Sequence, residues 1–248
     1  MRISRRALLA GALALSGCDS VVDNPAVRRT VAREGSWVQT LRRLFGSPAL
    51  APEYQPQDIS RTFKPNGSVN PDDDAYQEWA EGHFVDWRLQ VDGLVERPTK
   101  FSLEDLRALP SRTQITRHDC VEGWSCIAKW KGARLSALLD AVGVQAKARY
   151  VVFYCADALD SADPTNKYYE SLDLSEARHE QTILAYEMND SALPIPHGAP
   201  LRLRVERQLG YKMAKYIMHI QLIDNFDAIG AGSGGYWEDL GYDWYAGI

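Results

Sequence analysis

Thr116-Arg117-His118-Asp119-Cys120-Val121-Glu122-Gly123-Trp124-Ser125 is the decisive stretch of this 248-residue chain. Thr113, Ile115 and Arg117 lead into it with the alternation of a strand, and Cys120 follows that strand, ahead of a loop of polar and aromatic residues. A lone cysteine is most often a small buried hydrophobe. Cys120 is followed by Glu122 and Ser125 instead of an apolar run. With Arg117 and His118 beside it in sequence, its setting suits a thiolate that holds a metal or attacks a substrate.

The surrounding elements are read from periodicity. Val85, Trp87, Leu89 and Val91 alternate with Asp86, Arg88 and Gln90 as a half-buried strand, and Asp92-Gly93 then turns the chain. Ser102 is placed to cap a helix, with Asp105 three residues on and Phe101 and Leu106 as a hydrophobic staple; that helix must end by Pro110. Leu135, Leu138, Leu139 and Val142 repeat at helical spacing up to Gly143. Tyr150 to Tyr154 reads as a short buried strand, and Lys215 to Ile223 as another. Leu201, Leu203 and Val205 alternate with Arg202, Arg204 and Glu206. Strands and helices mix irregularly, so the expected fold class is α+β, a mixed α/β domain and not a regular βαβ array.

Composition is that of an ordinary globular protein, with 45% hydrophobic and 25% charged residues, and the length suffices for a core that encloses a cofactor. The formal charge is -5, and removal of the first 17 residues, which hold Arg2, Arg5 and Arg6 and no acid, lowers it by three to -8. That balance excludes nucleic acid as a partner. Ser4-Arg5-Arg6 before the apolar stretch Ala7 to Leu15 reads as a twin-arginine export signal over residues 1–17. The apolar stretch is too short for a bilayer span, which needs roughly 20 residues. Leu15-Ser16-Gly17-Cys18 is similar to a bacterial lipobox, so Cys18 is either the lipidated start of the mature chain or incidental to a nearby cleavage. Residues 18–60 read as a tether, in which Val31 to Phe45 forms a short helix that packs on the domain or lies on a membrane surface. The folded domain is then 61–248, and a periplasmic location, tethered through Cys18, is expected.

Beyond Cys18 the cysteines are Cys120, Cys126 and Cys155, an odd number, with Cys126 and Cys155 open to being thiols or a disulfide. No CxxC or CxxCH occurs, and so no sign of an iron–sulfur cluster or c-type haem. A redox enzyme built this way carries one redox centre and exchanges electrons with another protein.

Three words together carry a family resemblance: CVEGWS (Cys120 to Ser125), the W-x-G that follows it, and HGAPLRLRVERQLGYKMAK (His197 to Lys215). They resemble the molybdopterin-dependent oxidoreductases of the sulfite oxidase superfamily over about residues 60 to 225. The resemblance implies a sulfite-oxidase-type molybdopterin-binding domain with a molybdenum–molybdopterin cofactor, and Cys120 as the protein's only ligand to the metal. It further implies pterin contacts at Asn66, Cys155, His197, Arg202, Met213, Ala214 and Lys215. Glu122 is a candidate general acid. Arg202 can fork onto the pterin phosphate and Lys215 can add a point charge, while Gly198 and Gly210 allow close backbone approach to a ligand.

Structural readings stand beside these. Arg202 and Arg204 can be the solvated face of an edge strand paired with Glu206, and Asn66-Gly67 can be a simple turn. Glu122 can bridge to Arg117 or Lys129, His118 can cap a strand end, and Trp124 can serve packing. The aromatic tail Gly234 to Tyr245 can fold back on the domain or offer a docking surface. No C-terminal dimerisation domain like that of animal and plant sulfite oxidases is expected after the resembling stretch, and Val121-Glu122-Gly123-Trp124-Ser125 lacks the arginine that helps those enzymes bind sulfite. Both departures favour the bacterial branch that includes the periplasmic methionine sulfoxide reductase catalytic subunit. The expected activity is oxygen-atom transfer from a sulfoxide-type substrate, small or protein-bound, by a monomer fed by a membrane b-type cytochrome. The alternatives are a sulfite-type dehydrogenase using the same centre and a non-catalytic binding lipoprotein.

Overall fold

The computed structural model describes residues 49–160 and 162–248, and Leu50–Ile248 forms one compact unit. The export signal, Cys18 and the helix expected over Val31 to Phe45 lie outside the described residues. Residues 50–60 belong to the domain, not to a tether: Tyr54 N donates to the Ile115 carbonyl at 2.9 Å, Ser60 N to Ile127 O at 3.0 Å, and Ala51 N to the Gln181 side chain at 2.7 Å.

The elements in chain order are α1 (Asp74–Glu81), β1 (Leu89–Gly93), β2 (Thr99–Phe101), α2 (Leu103–Ala108), β3 (Ser111–Asp119), β4 (Ser125–Arg134), α3 (Leu135–Val142), β5 (Tyr150–Ala158), β6 (Lys167–Asp173), α4 (Leu174–Ala177), β7 (Ile183–Met188), β8 (Ser191–Ala192), β9 (Arg202–Arg204), β10 (Ile217–Ile223) and α5 (Tyr236–Asp239). One sheet runs β2-β1-β10-β5-β6, parallel only between β1 and β10. The other runs β3-β4-β7-β8, with β9 also paired to β7.

Local chemistry accounts for the boundaries that periodicity marked. Ser102 accepts from Asp105 N while the Asp105 side chain accepts from Ser102 N, a reciprocal capping box, and α2 ends at Ala108 ahead of Pro110. Gly143 ends α3 with φ +72, a conformation that favours glycine. The first strand starts later than its alternation implies: His83 and Phe84 adopt positive φ, Val85 is 72% exposed, and β1 begins at Leu89 and continues through Asp92-Gly93, which pair with β10. The β5 strand runs four residues past Tyr154, to Ala158.

The main core joins Leu89, Val91, Val151 and Phe153 of the first sheet to Leu135, Leu138, Leu139 and Val142 of α3, to Leu184 and Leu203 of the second sheet, and to Leu201 just before β9. A second cluster, built on Phe63, Trp130, Ile183 and Ala185, covers the opposite face of the second sheet. The second sheet is therefore buried on both sides near β9, which makes burial of the polar residues there possible.

Close packing of β4 on β7 is written into Gly132. A Cβ built on that glycine would lie 2.1 Å from the Leu184 carbonyl oxygen and 2.5 Å from Ala185 Cα, both backbone atoms that cannot swing aside. Gly132→Ala is expected to cost about 1–3 kcal/mol as an overpacking change, read as a fall in the urea midpoint. Gly82→Ala, where the nearest atom would be 3.5 Å away, is expected to change stability by less than about 0.5 kcal/mol. Equal effects would contradict this packing.

Candidate molybdopterin site

The β3–β4 hairpin carries Cys120 at its tip. Nine cross-strand pairs, from Ser111↔Ala133 to Asp119↔Ser125, fix the register, and residues 120–124 close the loop. Cys120 N donates to Trp124 O and Gly123 N to Cys120 O, both at 3.0 Å, and Gly123 holds φ +83. Cys120 is half-buried, and burial is the main influence raising its thiol pKa. Arg117 and His118 do not activate it; the opposing influences are the backbone N–H groups of Glu122 and Val121 and the charge of Lys64. Arg117 turns outward to Asp119 at 2.9 Å, and the nearby cation acting on the thiol is Lys64, from a distant stretch of chain.

His118 neither caps a strand end nor serves the thiol. It is fully buried, with Nδ1 3.1 Å from Arg204 and 3.3 Å from Met213 Sδ. Arginine only donates, so Nδ1 accepts and the ring proton sits on Nε2. Burial, followed by the charges of Arg204, Arg202 and Lys215, holds the imidazole pKa well below its usual value, so the ring is neutral. Nε2 is buried without a partner, and a Cβ on Gly210 would stand 2.5 Å from it. Gly210 thus makes room for His118. Gly198, at φ +108, makes room for the Lys215 and Arg202 side chains, which would lie 2.9 and 3.2 Å from an added Cβ.

Arg202 and Arg204 are both fully buried, which overturns the solvated-face reading of β9. Residues two apart on a strand share a face, and both guanidiniums lie over the Trp130 indole, at 5.0 and 4.4 Å from its centroid. Arg204 is locked by Glu206 through two hydrogen bonds of 2.9 and 2.6 Å. Arg202 donates to the His197 carbonyl at 2.9 Å, while its Nε and one terminal nitrogen are buried without a partner. Burial, then the neighbouring Arg204, pushes the Arg202 pKa down to about 9. Lys215 spends its three donors on the carbonyls of Asn66, Ser68 and Pro196, so it contributes charge more than a free hydrogen bond. Its pKa is also lowered, first by burial and then by Arg202. His197 is half-buried, with its pKa pushed down to about 4 by burial, Arg202 and Lys215, and its Nδ1 is buried and unpartnered.

An open cavity of about 110 Å³ adjoins this cluster. Asn66, Cys120, Glu122, Met213 and Lys215 line it together, and the Asn66 side-chain oxygen is buried without a partner. Arg202 and His197 connect to it through Lys215, while Ala214 and Cys155 are not in its wall. Cys155 is a buried thiol on β5, and Cys126 is a half-buried thiol on β4; the two are not joined. Glu122 pairs with Lys64 at 2.8 Å, not with Arg117 or Lys129, and accepts from Trp124 Nε1 at 2.9 Å. These contacts hold its carboxyl below the usual range, as an ionised group at the cavity mouth. Trp124 packs beside Phe63 and His118.

The wall also contains residues that periodicity did not mark: Val121, Asp157, Leu159, Tyr168, Tyr211 and Trp237. Trp237 reaches it because the tail folds back, with Trp244 against Tyr150 and Phe226. The aromatic density of the tail was the available signal for it. Lys64 gave none, since it meets the Cys120 loop only through the fold.

Anionic molybdopterin fits this donor set. Buried guanidinium N–H groups and a buried imidazole N–H lack acceptors, and their charge lacks a full complement of carboxylates. Among the described residues no group of three or more His, Cys, Asp or Glu side chains gathers to hold a metal ion, so protein ligation by such a set is not built here.

The comparisons place the chain among oxidoreductases that bind molybdopterin. It belongs to the family of the oxidoreductase molybdopterin-binding domain, whose model matches residues 77–228. It is 37% identical over 248 residues to a chain of Azospira oryzae named as a protein-methionine-sulfoxide reductase subunit, YedZ1, covering 99% of this chain and 86% of that one. It is 31% identical over 234 residues to the protein-methionine-sulfoxide reductase catalytic subunit MsrP of Ralstonia nicotianae, covering 89% and 69%. Among solved structures it resembles the sulfane dehydrogenase SoxCD of Paracoccus pantotrophus with a TM-score of 0.50 and 26% identity, over 57% of this chain and 39% of that one. The chain is a molybdenum-dependent oxidoreductase, and its cofactor is molybdopterin-bound molybdenum.

Breaking the Arg204–Glu206 pair tests the electrostatics of the site. Glu206→Ala leaves a fully buried guanidinium without its carboxylate and is expected to cost about 3–5 kcal/mol in denaturant unfolding. A loss under about 1 kcal/mol would show that the cluster is not strained by its own charge.

Proposed function

We propose that this chain is the catalytic subunit of an exported system that reduces sulfoxide sulfur, with methionine sulfoxide in proteins as the substrate class. The observation that carries this reading is the wall of the cavity beside Cys120. Val121, Leu159, Tyr168, Tyr211, Met213 and Trp237 form its apolar part, beside Asn66, Asp157 and Lys215, with Glu122 ionised at the mouth. Aromatic and thioether groups suit a neutral sulfur substrate. A carboxylate at the mouth disfavours an anion such as sulfite, and Lys215, the lysine in the wall, has its donors engaged by backbone carbonyls. The names of the Azospira and Ralstonia relatives point to the same substrate.

Cys120 is the proposed protein ligand to molybdenum. Arg202 and Lys215 neutralise the pterin phosphate, with Asn66, His197, Met213 and Ala214 as further contacts. Bound there, the cofactor supplies two-electron oxygen-atom exchange, and the protein sets access and electrostatics. In the net reaction a sulfoxide takes up two electrons and two protons and yields a thioether and water. Neutral His118 and the Trp130 platform hold Arg202 and Arg204 in place. Glu122, held as a carboxylate, shapes the mouth, and protons come from solvent there.

Electrons are proposed to come singly from a membrane b-type cytochrome, because the sequence carries no second redox motif. Export through the twin-arginine signal suits a chain that must receive its cofactor while folded. Lipidation at Cys18 and a monomeric state complete the proposal.

The test is steady-state turnover of molybdenum-loaded protein with methionine sulfoxide and an artificial one-electron donor, beside sulfite oxidation with an artificial acceptor. The reading predicts that kcat/KM for the sulfoxide exceeds that for sulfite by at least about 100-fold, a difference of about 2.7 kcal/mol. A preference for sulfite would overturn it in favour of the dehydrogenase.

A further inference from the structure

A second charged cluster lies on the far side of the cavity wall, and the proposed chemistry does not use it. Lys212 Nζ stands 2.5 Å from Glu170 and 2.6 Å from Glu238, and none of the three side chains is more than 1% exposed. The three residues come from separate elements: β6, the 3-10 turn Gly210–Lys212, and α5 in the tail. Each is tied in sequence to an aromatic residue of the cavity wall. Tyr211 precedes Lys212, Trp237 precedes Glu238, and Tyr168 lies two residues before Glu170 on β6, on the same face of the strand.

The aromatic residues are linked to one another as well. The Tyr168 hydroxyl donates to the Tyr211 carbonyl. Ring contacts run from Tyr168 to Tyr236 at 5.6 Å, to Trp237 at 5.4 Å, to Tyr242 at 5.2 Å and back to Tyr211 at 5.3 Å. Gly235 gives the carboxylates the room they need: a Cβ there would lie 2.0 Å from Glu238 and 2.8 Å from Glu170. Burial pushes the Glu170 carboxyl well above the usual range, and a lysine buried between two carboxyl groups is costly to keep unless its charge is matched.

We propose that Lys212 and Glu238 are positioning residues, a buried clasp that holds Tyr211 and Trp237 together in the substrate wall of the cavity. The link that matters is Lys212 to Glu238, because it fastens the tail segment bearing Trp237 to the turn bearing Tyr211. The substrate part of this inference rests on the sulfoxide reading above; the fastening of the tail does not.

Two variants separate the clasp from simple charge balance. Glu238→Ala removes the ion pair between the tail and the turn, while the Tyr211 hydroxyl still donates to the Asp243 carbonyl at 2.6 Å and Leu209 N to Ala246 O at 2.9 Å; Lys212 stays matched one-to-one with Glu170, so the fold survives. Glu170→Gln removes the other carboxylate and leaves the Lys212–Glu238 link intact. Both are made in the full-length, molybdenum-loaded protein. The readouts are amide hydrogen exchange over residues 234–246 and the separate kinetic constants for methionine sulfoxide.

Glu238→Ala is expected to speed exchange across the tail and to raise KM about tenfold or more, the effect of loosening an apolar pocket contact, with kcat within about threefold. Glu170→Gln is expected to match the wild type in both. Unchanged tail exchange in Glu238→Ala, or an equal response from Glu170→Gln, would overturn the clasp. Should the wild type fail to reduce the sulfoxide, the substrate reading fails by that result, and the exchange comparison still decides whether the tail is clasped.

Discussion

Arg202 and Arg204 lie against a single buried indole, Trp130, and Glu206 forks onto only one of them. Placing two guanidiniums in a water-free interior is costly unless each finds an anion. Arg204 has its carboxylate, and the Trp130 ring offers both a π face. Arg202 keeps unpaired N–H groups that point to a ligand the polypeptide does not supply. The second sheet is buried on both faces to make this possible, with Phe63 touching the rings of His118, Trp124, Trp130 and His197. His118 stays neutral in the same field, and Gly198 and Gly210 are glycines because the side chains that form the field need their space.

The thiol is delivered by a different device. A long hairpin in strict register carries Cys120 at its tip, so its position depends on nine strand pairs. The thiol and the charged cluster are joined inside the hairpin, where His118 lies 3.1 Å from Arg204 and Trp130 lies under both guanidiniums, and they meet again at the cavity, which Cys120, Met213 and Lys215 line together.

Much of this was legible in the residues where the signal is local. The capping box at Ser102, the stop at Gly143 and the loop at Cys120 depend on neighbours within a few positions, and they stand where the pattern put them. The alternation in Leu201 to Glu206 was legible as a strand but not as a buried one, because what covers its polar face is the Trp130 indole, which is distant in sequence and comes near only through the fold. Lys64 and Glu122 were unreadable as a pair for the same reason, and the nearer basic residues Arg117 and Lys129 turned to Asp119 and Asp190 instead. Val85 failed as the start of a strand because the chain is still turning there, with Val85 N donating to Gly82 O and Trp87 N to Phe84 O. Periodicity reports which residues are apolar; it does not report which polar residues the fold goes on to bury.

The central claim is that Cys120 and the buried cationic cluster hold one molybdopterin-bound metal between them. The most direct measurement is molybdenum per chain by elemental analysis, on protein from an export-competent bacterial host that loads other molybdoenzymes, beside Cys120→Ser. The account predicts close to one molybdenum per wild-type chain and its loss in the serine variant with the fold retained. A well-folded wild-type protein without molybdenum, or a Cys120→Ser variant that keeps it, would contradict the account.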